Sequence, residues 1–167
     1  MPPWWLLGIG FTHVQILSQY AGSGLFHGMA GLPVSTDVAW FVGMGANILV
    51  LLACGAVFRG PRLDRLKRLL APSIILNIVG FLLSVWPTGV TANDDPVALL
   101  GAIALGMGQA IMFLLWADVF NRAKIEEAEI ALPLSSLVVL AYAVVVPLLP
   151  ASLNGIPMLV APLASGA

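Results

Sequence analysis

Residues 38–68 read VAWFVGMGANILVLLACGAVFRGPRLDRLKR. From Val38 to Phe58 there is no charged side chain. The following segment carries five cations: Arg59, Arg62, Arg65, Lys67 and Arg68. Roughly 20 apolar residues, wound as an α-helix, match a hydrocarbon core about 30 Å thick. Lys and Arg collect in the cytoplasmic loops that flank such helices. The stretch therefore reads as a transmembrane helix running into a cytoplasmic basic loop.

The rest of the chain follows the same plan. It has 167 residues, of which 60% are hydrophobic and 9% charged, against about a quarter charged in soluble domains. Mean hydropathy is +1.01. Only helices or closed barrels satisfy the backbone in lipid, and the alternating pattern of barrel strands is absent. The apolar blocks predict six helical spans, at about 4–24, 38–58, 69–86, 97–118, 130–149 and 155–167. Together they form one transmembrane domain over 1–167. The first span is the most polar. The sixth is short and interrupted by Pro157 and Pro162. The N-terminal MPPWWLLGIG lacks a basic region and a small-residue cleavage site, so it reads as part of the first span rather than as a signal peptide.

Charge sets the orientation. The remaining cations, Arg122 and Lys124, fall two spans after the first basic loop. Both loops therefore share a side, which the positive-inside rule makes cytoplasmic. The opposite loop, 87–96, holds Asp94 and Asp95 and no cation. The N-terminus is then cytoplasmic, and the chain is a multi-pass protein of the inner (plasma) membrane. Trp40 and Trp86 fall at the outer interface, and Trp4, Trp5 and Trp116 near the inner one, as an aromatic belt predicts. The lipid bilayer is the first partner. Cations beside a span need no nucleic acid to explain them, and none is expected to contact this segment. Cys54 sits alone in an apolar run and reads as a small hydrophobe, neither a disulfide nor a metal site.

Two passages echo one another. Leu7-Gly8-Ile9-Gly10 in span one resembles Leu105-Gly106-Met107-Gly108 in span four. Ile16-Leu17 and Leu114-Leu115 follow at the same offset. Copies three spans apart have opposite orientations, as in the inverted three-plus-three repeats of many transporters. Gly and Leu are common in spans, so chance recurrence stands beside repetition.

Gly60-Pro61-Arg62-Leu63-Asp64-Arg65-Leu66-Lys67-Arg68 resembles the loop signature of the major facilitator superfamily: Gly, three residues, Asp, a basic residue, one residue, Gly, then basic residues. Gly60, Asp64, Arg65 and Arg68 match in register. Lys67 stands where the second glycine belongs, and Leu69 where the last basic residue belongs. The loop lies between spans two and three, as in that family. The resemblance implies a six-helix bundle like one half of a facilitator-type transporter. Asp64 would be a latch carboxylate on the cytoplasmic side, Arg65 and Arg68 its cationic partners, and Asp118 a further member. The alternative is a positive-inside anchor loop that happens to hold an aspartate. The run from Gly106 to Ala110, followed by Met112 to Asp118, also resembles the membrane region of facilitator-like bacterial regulators with a LuxR-type helix-turn-helix domain. These residues contain no DNA-binding region, so that reading requires a longer native chain.

Polar residues inside spans are functional candidates by default. They are His13, Gln15, Gln19, Asn47, Asn77 and Gln109. Gln15 and Gln19 share a helix face, and His13 points elsewhere. Histidine titrates near physiological pH and can relay protons; it can equally make one interhelical hydrogen bond, as Gln109 can. Asp118 and Arg122 have the i,i+4 spacing of an interfacial ion pair. Ala102/Gly106/Ala110 and Gly24/Gly28 read as close-packing positions. Glu126, Glu127 and Glu129 read as the solvated face of a short loop. No nucleophile, base and orienter occur together, so no enzyme activity is expected, and no cofactor or metal is implied. Two functions fit. One is a ligand-sensing membrane module, resembling the N-terminal half of a facilitator-like LuxR-type regulator. The other is a half-size secondary transporter of a small solute, working as a dimer. Either needs a second six-helix bundle, from the same or another chain, and a small-molecule ligand. A packing or assembly subunit is the third reading.

Overall fold

The computed structural model describes residues 7–25, 37–57, 68–84, 96–145, 148 and 156–166. All regular structure among them is helical. Six α-helices follow in order: α1 Gly8–Leu25, α2 Asp37–Val57, α3 Leu70–Ser84, α4 Pro96–Arg122, α5 Ile125–Val145 and α6 Ile156–Gly166. Each coincides with one predicted span. Segments of α2 (Val38–Ala56), α4 and α5 are long and apolar enough to cross a membrane. The 15 residues of α3 and the 11 of α6 rise only roughly 22 and 16 Å at 1.5 Å per residue.

One boundary moves substantially. The loop expected over 121–129 shrinks to Ala123 and Lys124, because α5 begins at Ile125 rather than Ile130. Glu126 and Glu127 thus occupy a helical first turn, where carboxylates offset the exposed amide dipoles. The Glu127 carboxylate accepts a hydrogen bond from the Lys124 backbone N–H at 3.3 Å, which is the return half of a capping box. The glutamates start a helix instead of lining a loop. Pro133 lies inside α5. It removes the amide that would bond the Glu129 carbonyl, yet the helix continues to Val145.

Burial departs from the pattern of a water-soluble protein, with several polar residues inside and many large apolar ones outside. Thr12, Gln15, Ser73, Asn77, Gln109, Ser135 and Ser165 are buried. Phe41, Leu49, Leu52, Leu137 and Leu140 are each more than half exposed. Such a surface suits hydrocarbon, where an apolar exterior is favourable and polar groups need internal partners. Along α4, 56% of the apolar window is buried, against 6% in α2 and 11% in α5. So α4 is an inner helix, while α2 and α5 present their side chains outward. Cys54, on α2, is half-buried.

The chain divides into two compact units, with the boundary inside α4. One comprises Met1–Ala30 with Trp116–Ala167, and the other Gly31–Leu115. In the second unit α3 and α4 run antiparallel. Ser73 and Asn77 meet Gly108, while Gly80 and Ser84 meet Gly101 and Leu105. Advancing along one helix means retreating along the other. The contact positions 73, 77, 80, 84 and 101, 105, 108 alternate steps of four and three, the spacing of a knobs-into-holes seam. All but Asn77 and Leu105 are glycine or serine, so the backbones nearly touch. A Cβ added to Gly80 would lie 2.7 Å from the Leu105 nitrogen and 2.8 Å from the Gly101 oxygen. Another face of α4 approaches α2 as closely: a Cβ on Gly106 would collide with the Gly43 carbonyl.

In the first unit α1 packs on α5 and α6. A Cβ on Gly10 would lie 2.8 Å from the Ser135 oxygen, and one on Gly8 would strike the Trp116 ring and come 3.1 Å from the Ser165 oxygen. The two Leu-Gly-X-Gly passages thus do the same work. Each lets one inner helix sit directly on two neighbours.

Candidate functional site

A partly open groove of about 520 Å³ lies on the first unit, lined by His13 from α1 and by Leu132, Pro133, Ser135, Ser136 and Val139 from α5. Ser135 stands near the middle of α5, so the groove is centred along that helix. Gly10 fixes its floor. With no side chain there, α1 seats on the Ser135 backbone, and His13, three residues on, reaches the edge of α5. His13 is exposed while Gln15, two residues later, is 1% exposed. The two fall on different faces, as their spacing requires.

The groove's polar atoms are tied to the backbone. His13 Nδ1 lies 2.9 Å from the Ile9 carbonyl oxygen. A carbonyl only accepts, so Nδ1 carries the hydrogen in that bond. The Ser135 hydroxyl donates to the Leu132 carbonyl at 2.7 Å, and the Ser136 hydroxyl donates to the same oxygen at 3.2 Å. Such back-bonding satisfies serine hydroxyls within helices.

A second polar cluster in the same unit is buried. Thr12 Oγ1 and Ser165 Oγ lie 2.6 Å apart, and the Trp116 indole N–H donates to Ser165 Oγ at 2.8 Å. These bonds tie α1, the end of α4 and α6 together. Trp116, expected in the inner aromatic belt, is 7% exposed. Its N–H needs a partner once buried, and Ser165 supplies it. Sequence reasoning passed over Thr12, Ser165 and Ser135, since isolated hydroxyl residues carry no spacing signal.

In the other unit Asn77 is fully buried. Its Nδ2 donates to the Ser73 carbonyl at 2.8 Å, and the Ser73 hydroxyl donates to the Gly108 carbonyl at 2.9 Å. Gln109 is buried at 7% exposure, and its Nε2 has no hydrogen-bond partner among the described residues. Asn47 is half-buried on α2. Gln19 belongs to α1, but its side chain lies outside the described residues. So do Gly60, Asp64 and Arg65 of the basic loop. Arg68 is exposed in the short turn leading into α3. Asp118 pairs with Arg122 at 2.9 Å, the i,i+4 contact its spacing predicts, with Asp118 mostly buried and Arg122 about half exposed.

Among the described residues no three His, Cys, Asp or Glu side chains cluster as metal ligands. The groove holds one imidazole and two hydroxyls on apolar walls. Comparison with protein-family models, with curated proteins and with solved structures finds no match for this chain.

Proposed function

We propose that this chain is a six-span membrane bundle, similar to one half of a facilitator-type fold, that binds a small molecule and responds by changing shape. The observation that supports it most is the matched make-up of the two units. In one, α1 packs on α5 and α6; in the other, α4 packs on α2 and α3. If α1–α3 and α4–α6 are copies, each unit is the first helix of one copy seated on the last two of the other. The correspondence extends to character: α1 and α4 share Leu-Gly-X-Gly and are the inner helices, α2 and α5 face outward, and α3 and α6 are short. Inverted repeats of this kind build bundles whose parts rock against each other around a bound solute.

On this reading the N-terminus is cytoplasmic and all six helices cross, with the basic loops 59–68 and 122–124 inside. A sensing role in the manner of facilitator-like LuxR-type regulators suits the spans better than ion-coupled transport. Coupling ordinarily uses a charged side chain near mid-span, and α1, α3 and α6 contain no Asp, Glu, Lys or Arg. Half-size transport by a dimer is the second reading, favoured by the central position of the groove.

Reporter fusions test the topology: Arg62 and Lys124 report cytoplasmic and Asp94 external. An internal Asp94 overturns the topology and the facilitator reading together. Counterflow of candidate solutes in proteoliposomes separates the two functions. Binding without saturable counterflow supports sensing, and saturable counterflow establishes transport.

A further inference from the structure

Each of the three helices that meet in the second unit carries a carboxamide at its middle residue: Asn47 in α2 (Asp37–Val57), Asn77 in α3 (Leu70–Ser84) and Gln109 in α4 (Pro96–Arg122). The middle of a spanning helix lies deep in hydrocarbon, where no water is at hand and polar groups need internal partners. Asn77 has one, since its Nδ2 donates to the Ser73 carbonyl at 2.8 Å. Gln109 is 7% exposed, and its Nε2 has no hydrogen-bond partner among the described residues. A buried donor left unmade carries its full desolvation penalty, so a small movement that pairs it is favoured.

The packing names the partner. Gly43 of α2 meets Ala102 and Gly106 of α4 at backbone distance: a Cβ on Gly43 would lie 3.0 Å from the Ala102 oxygen. Asn47 follows Gly43 by four residues and Gln109 follows Gly106 by three, so each lies on the side of its helix that makes this contact. In alternating spans α2 and α4 run the same way. Counted from the contact at 1.5 Å per residue, Asn47 and Gln109 then lie within about 2 Å of one level; in opposed helices they would be roughly 13 Å apart. Asn47 is half-buried. Both carboxamides hold a donor and an acceptor, so they are complementary whichever way each is turned. The contact beside them is glycine and alanine, with no bulky side chain to lock its register, and packed helices move by small sliding steps.

We infer that α2 and α4 exchange between two arrangements: the one described, in which the Gln109 Nε2 lacks an acceptor, and a second in which it donates to the Asn47 side chain. The inference deepens the shape-changing reading and rests on it, by giving the change a place and a bond. A ligand that binds one arrangement more tightly shifts the balance between them.

The chain has three glutamines, Gln15, Gln19 and Gln109, so 15N labelling of glutamine alone leaves three side-chain amide groups to observe. The full chain is studied in micelles, and Gln109→Leu assigns the Gln109 signal by its loss. Relaxation dispersion, which reads the microsecond-to-millisecond motions of sliding helices, should show the Gln109 amide exchanging between two environments. Asn47→Leu should abolish that exchange, and Asn47→Gln, which restores a carboxamide, should recover it. An unchanged Gln15 signal, from the other unit, reports that each variant is folded. A Gln109 amide in a single environment overturns the inference. So does exchange that persists in Asn47→Leu, which would give the amide a water or a bound molecule as its partner, and so does a loss that Asn47→Gln fails to recover. Reporter fusions at Asp94 read the topology separately: an external Asp94 without Gln109 exchange refutes the pair alone, and an internal Asp94 refutes the six-span reading.

Discussion

Replacing Gly80 by alanine should loosen the second unit measurably, and replacing Gly45 should not. A Cβ at Gly80 would stand 2.7–2.8 Å from backbone atoms of Gly101 and Leu105 and from the Leu105 side chain. Ordinary contact begins at 3.4 Å, so α3 and α4 must part by roughly 0.6 Å, and a gap of that size forfeits a quarter or more of each dispersion contact along the seam. Backbone atoms cannot swing aside as a side-chain tip can. Overpacking of this kind costs about 1–3 kcal/mol. Against it stands the helix gain of alanine over glycine, about 0.5–1 kcal/mol. The net loss is about 1–2 kcal/mol, a five- to thirtyfold fall in the folded ratio. Gly45 has nothing within 4 Å of an added Cβ, so Gly45→Ala keeps the gain alone. Reversible SDS unfolding in mixed micelles, followed by tryptophan emission, measures both. Gly106→Ala, aimed at the Gly43 carbonyl, should be at least as damaging as Gly80→Ala. Gly80→Ala and Gly45→Ala unfolding at the same SDS fraction would refute the seam.

Other substitutions probe the polar contacts. Asn77→Asp should destabilise more than Asn77→Ala in the same titration. It removes the donor to the Ser73 carbonyl and sets an acceptor in its place, whereas alanine leaves a small void. Ser165→Ala breaks bonds to both Thr12 and Trp116; at about 0.6 kcal/mol for a typical interhelical bond in a membrane, a loss of about 1 kcal/mol is expected, with a change in Trp116 emission resolved against Trp116→Phe. Arg122→Ala should shift the unfolding midpoint by less than about 0.5 kcal/mol, since the pair with Asp118 lies at an exposed arginine.

The positions of the helices were readable because bilayer thickness imposes a length and charge marks the ends. Val38–Phe58 differs from α2 by one residue at each end. The start of α5 was missed by five residues because Glu126, Glu127 and Glu129 look like a solvated loop. Hydropathy weighs their charge, whereas a helix N-terminus welcomes it. The site was less legible. His13 announces itself as an ionisable group in a span, but the partners that shape its groove, Ser135 and Ser136, are single hydroxyls. Their meaning lies in the direction of a hydrogen, which no spacing encodes. Trp116 lies near a helix end, as its position in the sequence indicates, but its burial and the Ser165 hydroxyl that takes its N–H had no sequence signal.

The faint Leu-Gly-X-Gly echo carries more than its four residues suggest, and the reason is steric. A helix that must touch two neighbours at backbone distance needs small residues on two faces, about 200° apart. Glycines at i and i+2 supply that separation. Gly8 faces Trp116 of α4 and Ser165 of α6, and Gly10 faces α5, while Gly106 and Gly108 serve α2 and α3. A single close-packed stripe would instead recur at i and i+4, as Ala102 and Gly106 do. Recurrence of the two-sided form in α1 and α4 is thus the mark of an inner helix with two partners. If repetition produced it, Gly8→Ala and Gly106→Ala should destabilise by similar amounts, and so should Gly10→Ala and Gly108→Ala. Unequal pairs, with one copy tolerant throughout, would leave the echo as chance.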